Sequence, residues 1–337
     1  MKNAVIFTLK RIALLPLMFF VLATLTFSLI LLIPGDPASL ILGDFATDDQ
    51  LEQVREELGF NRPLGAQYVS FMLGAIQGDL GNSYLTGSSV MGELMRRLPN
   101  TLVLIVPSLL LAALIGTGIG ALGAYYQRRT TGRIASLFIS VAQGIPPFFL
   151  GVVLIFLFVF EFRIFPTPTG MLYSSTPPSP EITGVTLLDA VLSGNTSLLG
   201  AVAAHAILPV LSTAVFLAAY FAKTVRTSTT QALVQPQIEF ARGCGLSEWQ
   251  VIRYALLSSR TSVLTYTAIL FGVSLSAQAI IEVVFSWPGA GAWALDGVLK
   301  GDLPVIQGFI LVTGSVVIVA YILLDVAVAL LDPRIRF

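Results

Sequence analysis

Cysteine and histidine are almost missing from this chain, which holds one of each, Cys244 and His205. A single cysteine closes no disulfide within the chain, and two such residues build no zinc-type metal site. Charge is scarce too. Charged residues make up 11% of the sequence, where soluble domains carry about a quarter. The 19 basic and 19 acidic residues cancel to a formal net charge of +0, so bulk electrostatics give no case for nucleic acid or an acidic ligand. Catalytic signatures are also lacking. There is no glycine-rich phosphate loop ending in Gly-Lys-Ser/Thr, no His-Glu-x-x-His pair and no Gly-x-Ser-x-Gly elbow. The chain therefore shows no ATPase or other enzyme motif, and no cofactor or metal is expected to be bound by it. His205, just before Leu208–Pro209, reads as a structural residue, and Cys244 as a small packing residue.

Apolar sequence fills the space these absences leave. Hydrophobic residues reach 55% and mean hydropathy is +0.85. A helix needs roughly 20 mostly apolar residues to cross a bilayer. Six stretches qualify: about Leu9–Ile33, Leu98–Tyr126, Ile134–Phe160, Leu199–Phe221, Thr261–Phe285 and Leu303–Leu331. The runs are continuous rather than alternating, which excludes a barrel of strands. The expected fold is an all-α polytopic membrane protein with six transmembrane helices. The first span is longer than a signal-peptide core and has no small-residue cleavage site before Pro34, so it reads as an uncleaved helix. Three regions follow: a tail and first span over 1–33, an external loop over 34–97, and a five-helix core over 98–337 with a basic loop at about 223–260. With the amino terminus inside, 13 of the 19 Lys and Arg residues fall on the inner side. The positive-inside rule then makes both termini cytoplasmic.

Local signals refine this plan. Thr47 and Gln50 form a capping box ahead of the stripe Leu51, Val54 and Leu58, which stops at Gly59, so an amphipathic helix is expected on the outer rim. Pro166, Pro168, Pro177, Pro178 and Pro180 mark an irregular outer loop. Gly116, Gly120 and Ala124 recur every fourth residue, a spacing that lets backbones approach closely, within the chain or against a second subunit. Charges inside apolar spans are functional hypotheses by default; here they are Glu282 and Asp325. Ser274, Gln278 and Glu282 share one face of the fifth span and make the best candidate lining of a translocation pathway.

The loop Lys223–Arg260 has helical texture. Ile238, Ala241, Gly245, Trp249 and Ile252 recur at steps of three and four. Gly245 permits a turn, and Ser247 with Glu248 can start a new helix. Two short helices joined at a glycine would form a knob under the membrane; a helix lying on lipid is the alternative.

Glu239-Phe240-Ala241, three residues and Gly245 resemble the Glu-Ala-Ala-x-x-x-Gly coupling loop of ABC importer permeases, with Phe240 in place of the middle alanine. Pro34-Gly35-Asp36-Pro37-Ala38, Leu58-Gly59-Phe60-Asn61-Arg62-Pro63-Leu64 with Gln67-Tyr68, and Gly78-Asp79-Leu80-Gly81-Asn82-Ser83 are similar to motifs of the dipeptide/oligopeptide branch. Phe285-Ser286-Trp287-Pro288-Gly289, Asp302-Leu303-Pro304-Val305-Ile306-Gln307-Gly308 and the closing Leu331-Asp332-Pro333-Arg334-Ile335-Arg336-Phe337 extend the match in order along nearly the whole chain.

The resemblance implies a type I ABC importer permease in the bacterial inner membrane, carrying di- or oligopeptides. It also implies a second homologous permease, two cytoplasmic ATPase subunits or domains that use ATP and Mg, and an external substrate-binding protein or lipoprotein. The ATPase contact would be Glu239, Phe240, Ala241, Arg242, Gly245, Leu246, Trp249 and Ile252. Other cargo on the same fold (a nickel chelate, glutathione, an oligosaccharide or haem) is the alternative. A stand-alone secondary transporter fits less well, because such carriers commonly show internal repeats and none is visible here.

Overall fold

A computed structural model describes residues 2–30, 37–42, 46–172, 182–183 and 185–331. Pro34–Asp36 of the opening motif, Pro177, Pro178 and Pro180 of the outer loop, and Asp332–Phe337 of the closing motif lie outside the described residues. The helices are α1 (Lys2–Ile30), α2 (Pro37–Leu42), α3 (Asp48–Leu58), α4 (Leu64–Gln77), α5 (Val90–Tyr125), α6 (Thr130–Gly144), α7 (Pro147–Ile155, continued by a π-helical turn to Glu161), α8 (Thr186–Leu192), α9 (Thr196–Leu233), α10 (Pro236–Gly243), α11 (Glu248–Val284), α12 (Ala290–Lys300) and α13 (Leu303–Leu331). Among the described residues no strand forms, only an isolated bridge between Asn82 and Ser89.

Among the described residues five helices are long and apolar enough to span a membrane, and the pair α6–α7 makes a sixth span only if its two arms are counted together. The expected straight span over Ile134–Phe160 is in fact broken, bent by 95° between the arms. The cause is local. Pro146 and Pro147 remove two backbone donors and disfavour helical geometry in the residue before each. Ile145 (φ −95°, ψ 118°) and Pro146 (φ −60°, ψ 138°) are accordingly extended. Single prolines elsewhere, Pro99, Pro107 and Pro209, are carried inside continuous helices.

The centre of the bundle is the packing of α5 on α9. Cβ atoms added at Gly116 or Gly120 would lie 2.4 Å from Phe221 Cβ or 2.7 Å from the Ala222 carbonyl oxygen. The small-residue stripe therefore serves packing within the chain. Ile105, Leu109 and Ala112 join Leu217, Ala218 and Phe221 there, with Leu270 and Leu275 of α11 against them. α1 lies against α13, and Arg11 forms an ion pair with Asp325 at 3.1 Å. The intramembrane Asp325 is thus matched by a cation from the first helix, which offsets the cost of its placement.

The segment between α1 and α5 follows its sequence signals where it is described. Thr47 accepts from the Gln50 N–H and its own N–H donates to Gln50 Oε1, closing the capping box. Gly59 ends α3 in the left-handed conformation at φ 73°. α4, which no sequence signal above marked as a helix, packs on α1 through Tyr68, hydrogen-bonded to Thr24 Oγ1 at 2.8 Å and edge-on to Phe27.

Candidate functional site

The segment after α9 owes its shape to one proline and one glycine. Gln235 is extended and Pro236 starts α10 at the position where a missing N–H costs nothing. α10 closes with Leu246 N–H donating to the Ala241 carbonyl and Gly245 N–H to that of Arg242. This is the paired bonding of a glycine-terminated helix, and Gly245 takes φ 79°. Ser247 then caps α11: it accepts from the Gln250 N–H, and its own N–H donates to Gln250 Oε1 at 2.8 Å.

The knob differs in one respect from two short helices. Only α10 is short; the second helix is the start of α11, which continues unbroken into the fifth span. Hydropathy falls at Arg260, but hydrogen bonding does not stop there. Ile238 and Val251 are fully buried against Ala232 and Ala255, fixing α10 on the ends of α9 and α11. Ala241 faces inward as well, while Leu246 and Ile252 are half-buried. Glu239, Phe240, Arg242 and Trp249 point outward, and Arg242 reaches Glu248 at 3.6 Å. Phe240 is 74% exposed and Trp249 71%, which no packing within this chain explains.

Ser274, Gln278 and Glu282 are placed differently from an open lining. They are 2%, 1% and 0% exposed, so in this conformation the stripe is closed inside the chain. Ser274 donates to the Leu270 carbonyl one turn back. Glu282 has left the helix face altogether for the amino-terminal end of α12. Its Oε1 accepts from Thr101 Oγ1 at 2.6 Å, and its Oε2 from the Ala292 N–H at 2.7 Å. Thr101 in turn accepts from the Ala290 N–H at 2.9 Å. A carboxylate at a helix start meets unpaired donors and the positive end of the dipole. Next to it, Trp287 Nε1 donates to the Asn100 carbonyl and Asn100 Nδ2 to the Pro288 carbonyl. These bonds join α5, α11 and α12 at the end of the bundle opposite α10. Asn100 and Thr101 carried no signal in the sequence beyond being two polar residues at the mouth of an apolar span.

A second polar knot lies beyond it. Asp302 is 2% exposed and accepts from Ser83 Oγ at 2.5 Å and the Tyr84 N–H at 3.2 Å. Burial and this carboxylate push the Tyr84 hydroxyl up to about 12. Beside it opens a cavity of about 660 Å³ between α3, α4 and the start of α13, lined in part by Phe60, Arg62, Asp79, Tyr84 and Gln307.

His205 is buried and bonds the Ala201 carbonyl through Nδ1. Cys244 is exposed at the α10 turn rather than packed. Among the described residues no group of three or more His, Cys, Asp or Glu side chains is placed to hold a metal ion.

Residues 116–337 match the family described as the binding-protein-dependent transport system inner membrane component, and residues 4–105 match its amino-terminal companion family. The chain belongs to this permease family. Its similarity extends to the protein called "Probable D,D-dipeptide transport system permease protein DdpB" of Escherichia coli, at 34% identity over 92% of both chains. The di/tripeptide transport system permease protein DppB of Pseudomonas aeruginosa is 33% identical over 98% of both. The glutathione transport system permease protein GsiC of Escherichia coli is 31% identical over 98% of this chain and 99% of its own. For a multi-pass permease of the inner membrane, the geometry acquires an order. The segments Gly78–Ser83 and Asp302–Gly308, far apart in sequence, meet in the Ser83–Asp302 bond. Trp287–Gly289 meets α5 through Asn100.

Proposed function

We propose that this permease imports short peptides as one half of a paired translocation unit. Two ATPase subunits hydrolyse ATP with Mg below the membrane, and an external binding protein delivers cargo above it. The observation that carries the reading is the α10–α11 knob. It presents Phe240 and Trp249 to solvent from a buried base of Ile238 and Val251, while the chain itself has no energy source. Large aromatic anchors of this kind concentrate interface energy. Both termini and the knob lie in the cytoplasm, in keeping with the distribution of Lys and Arg. Peptide cargo is supported by the names of the relatives, two of which are named for dipeptides or di/tripeptides. Glutathione is a second reading, favoured by the relative named for it.

The test uses the full importer. Gly245→Val forces a β-branched residue into a left-handed backbone, yet a Cβ at this position meets no neighbouring atom within 4 Å. The variant should insert normally while losing co-purification of the ATPase and uptake of labelled dipeptide. Phe240→Ala with Trp249→Ala should do the same without touching the backbone. An ATPase-bound, fully active double variant would overturn the docking assignment. Uptake of glutathione but no dipeptide would replace the cargo.

A further inference from the structure

Away from the Ser274–Glu282 face, α6 and α9 enclose a cavity of about 500 Å³ on the side that carries α10, within the size range of small-ligand sites. Its lining has a distinct chemistry. From α6 come Ser136, Ser140 and Gln143, spaced so that all three fall on one helical face. From α9 come Lys223, Arg226, Thr227, Thr230 and Gln231, again one face. Gln127 closes the lower end, and the residues lining the cavity include no Asp or Glu. Two cations thus face a ring of hydroxyls and amides with no carboxylate among them.

Two further observations bear on what enters. Arg226 is held in place by donating from Nη1 to Ser136 Oγ at 2.7 Å, bridging the two helices. Gln143 Nε2 is buried and has no hydrogen-bond partner. A buried amide donor without an acceptor is costly, and it lies at the upper end of the cavity. We propose that this cavity is the inner part of the cargo route and that it receives the cargo's carboxylate. Lys223 and Arg226 supply the counter-charge, and Gln143 Nε2 donates to the carboxylate. The proposal rests on inward peptide transport as argued above.

The lining runs along α6 for about two turns, as a stripe rather than a single contact. Gln143 is 13 residues along α6 from Thr130, about 20 Å up the helix axis at 1.5 Å per residue. That places it at the bend before α7. The polar stripe also extends about 10 Å down α6 from Gln143 to Ser136.

Ser140→Cys in a Cys244→Ser background, assembled with the ATPases and receptor in vesicles, gives the test. The cysteine should react with small water-soluble thiosulfonate reagents in at least one nucleotide state. The anionic reagent should react about tenfold faster than its cationic counterpart, because the cavity concentrates negative charge. Lys223→Gln should erase most of that preference, and Gln143→Leu should slow the anionic reagent further. During turnover a transported peptide with a free carboxyl terminus should protect the cysteine, and its amidated analogue should not.

A cysteine inert in every state, or one with no preference for the anionic reagent, would overturn the site. Equal protection by both peptides would leave a route without a carboxylate contact and would refute the proposal as stated. Protection by anionic phospholipid without peptide would assign the cavity to a headgroup instead. The charge preference is measured without cargo, and dipeptide uptake by the unmodified importer is measured separately. Failure of the peptide reading is therefore distinguishable from failure of the site.

Discussion

Glu282→Leu separates a structural carboxylate from one that handles cargo. Glu282 accepts from Thr101 Oγ1 and the Ala292 N–H in an environment closed to solvent. Leucine keeps the volume and removes both acceptors. Each buried neutral donor left unpaired costs about 1–3 kcal/mol, so the pair amounts to about 2–6 kcal/mol. Glu282→Gln retains one acceptor but turns an amide N–H₂ toward a donor, and should fall between wild type and leucine. Gly289 supplies an internal check, since a Cβ there would lie 2.1 Å from the Glu282 carboxyl carbon. Gly289→Ala should therefore destabilise the wild-type protein and do much less damage beside Glu282→Ala, a coupling that a double-mutant cycle reads directly. Thermal unfolding of the solubilised importer, with uptake measured alongside, is the assay. A Glu282→Leu protein with an unchanged melting temperature and no uptake would refute the reasoning and return Glu282 to the pathway.

Two other outcomes follow from packing and charge. Gly116→Leu should cost about 1–3 kcal/mol or more through overpacking at the α5–α9 crossing, seen as reduced membrane levels, whereas Gly118→Leu, whose Cβ meets nothing within 4 Å, should be tolerated. For the Arg11–Asp325 pair, Asp325→Asn should bring a measurable loss of stability, because it removes the anion that Arg11 pairs with inside an apolar span. The charge exchange Arg11→Asp with Asp325→Arg should recover most of it in a melting-temperature cycle; no recovery would mean that the two are not coupled.

Hydropathy located the spans because lipid selects for continuous apolar runs, but it located their ends less well. α9 and α11 outrun their apolar segments, since a helix continues as long as its backbone bonds and tertiary packing hold. The bend at Pro146 was written in the sequence, yet the apolar residues on both sides of it read as one span. Gly245 was legible because a turn between helices needs a residue free to adopt positive φ, and it has one at 79°. The face of Ser274, Gln278 and Glu282 was legible as polar. What occupies Glu282 was not, because its partner Thr101 is 181 residues away and no local pattern announces it. The lining of the α6–α9 cavity was overlooked for a related reason: each helix alone shows only a few scattered hydroxyls and amides, and they become a set only when the two are laid together.

The continuity of α11 has a mechanical consequence. Its 37 residues run without a proline from the capped turn beside Trp249 to Val284, two residues past Glu282. At 1.5 Å per residue the rod is about 55 Å long, so a tilt of about 5° at one end displaces the other by about 5 Å. Because Glu282 is fastened to the start of α12 and, through Thr101, to α5, such a swing is felt simultaneously by three helices at the end of the bundle away from α10.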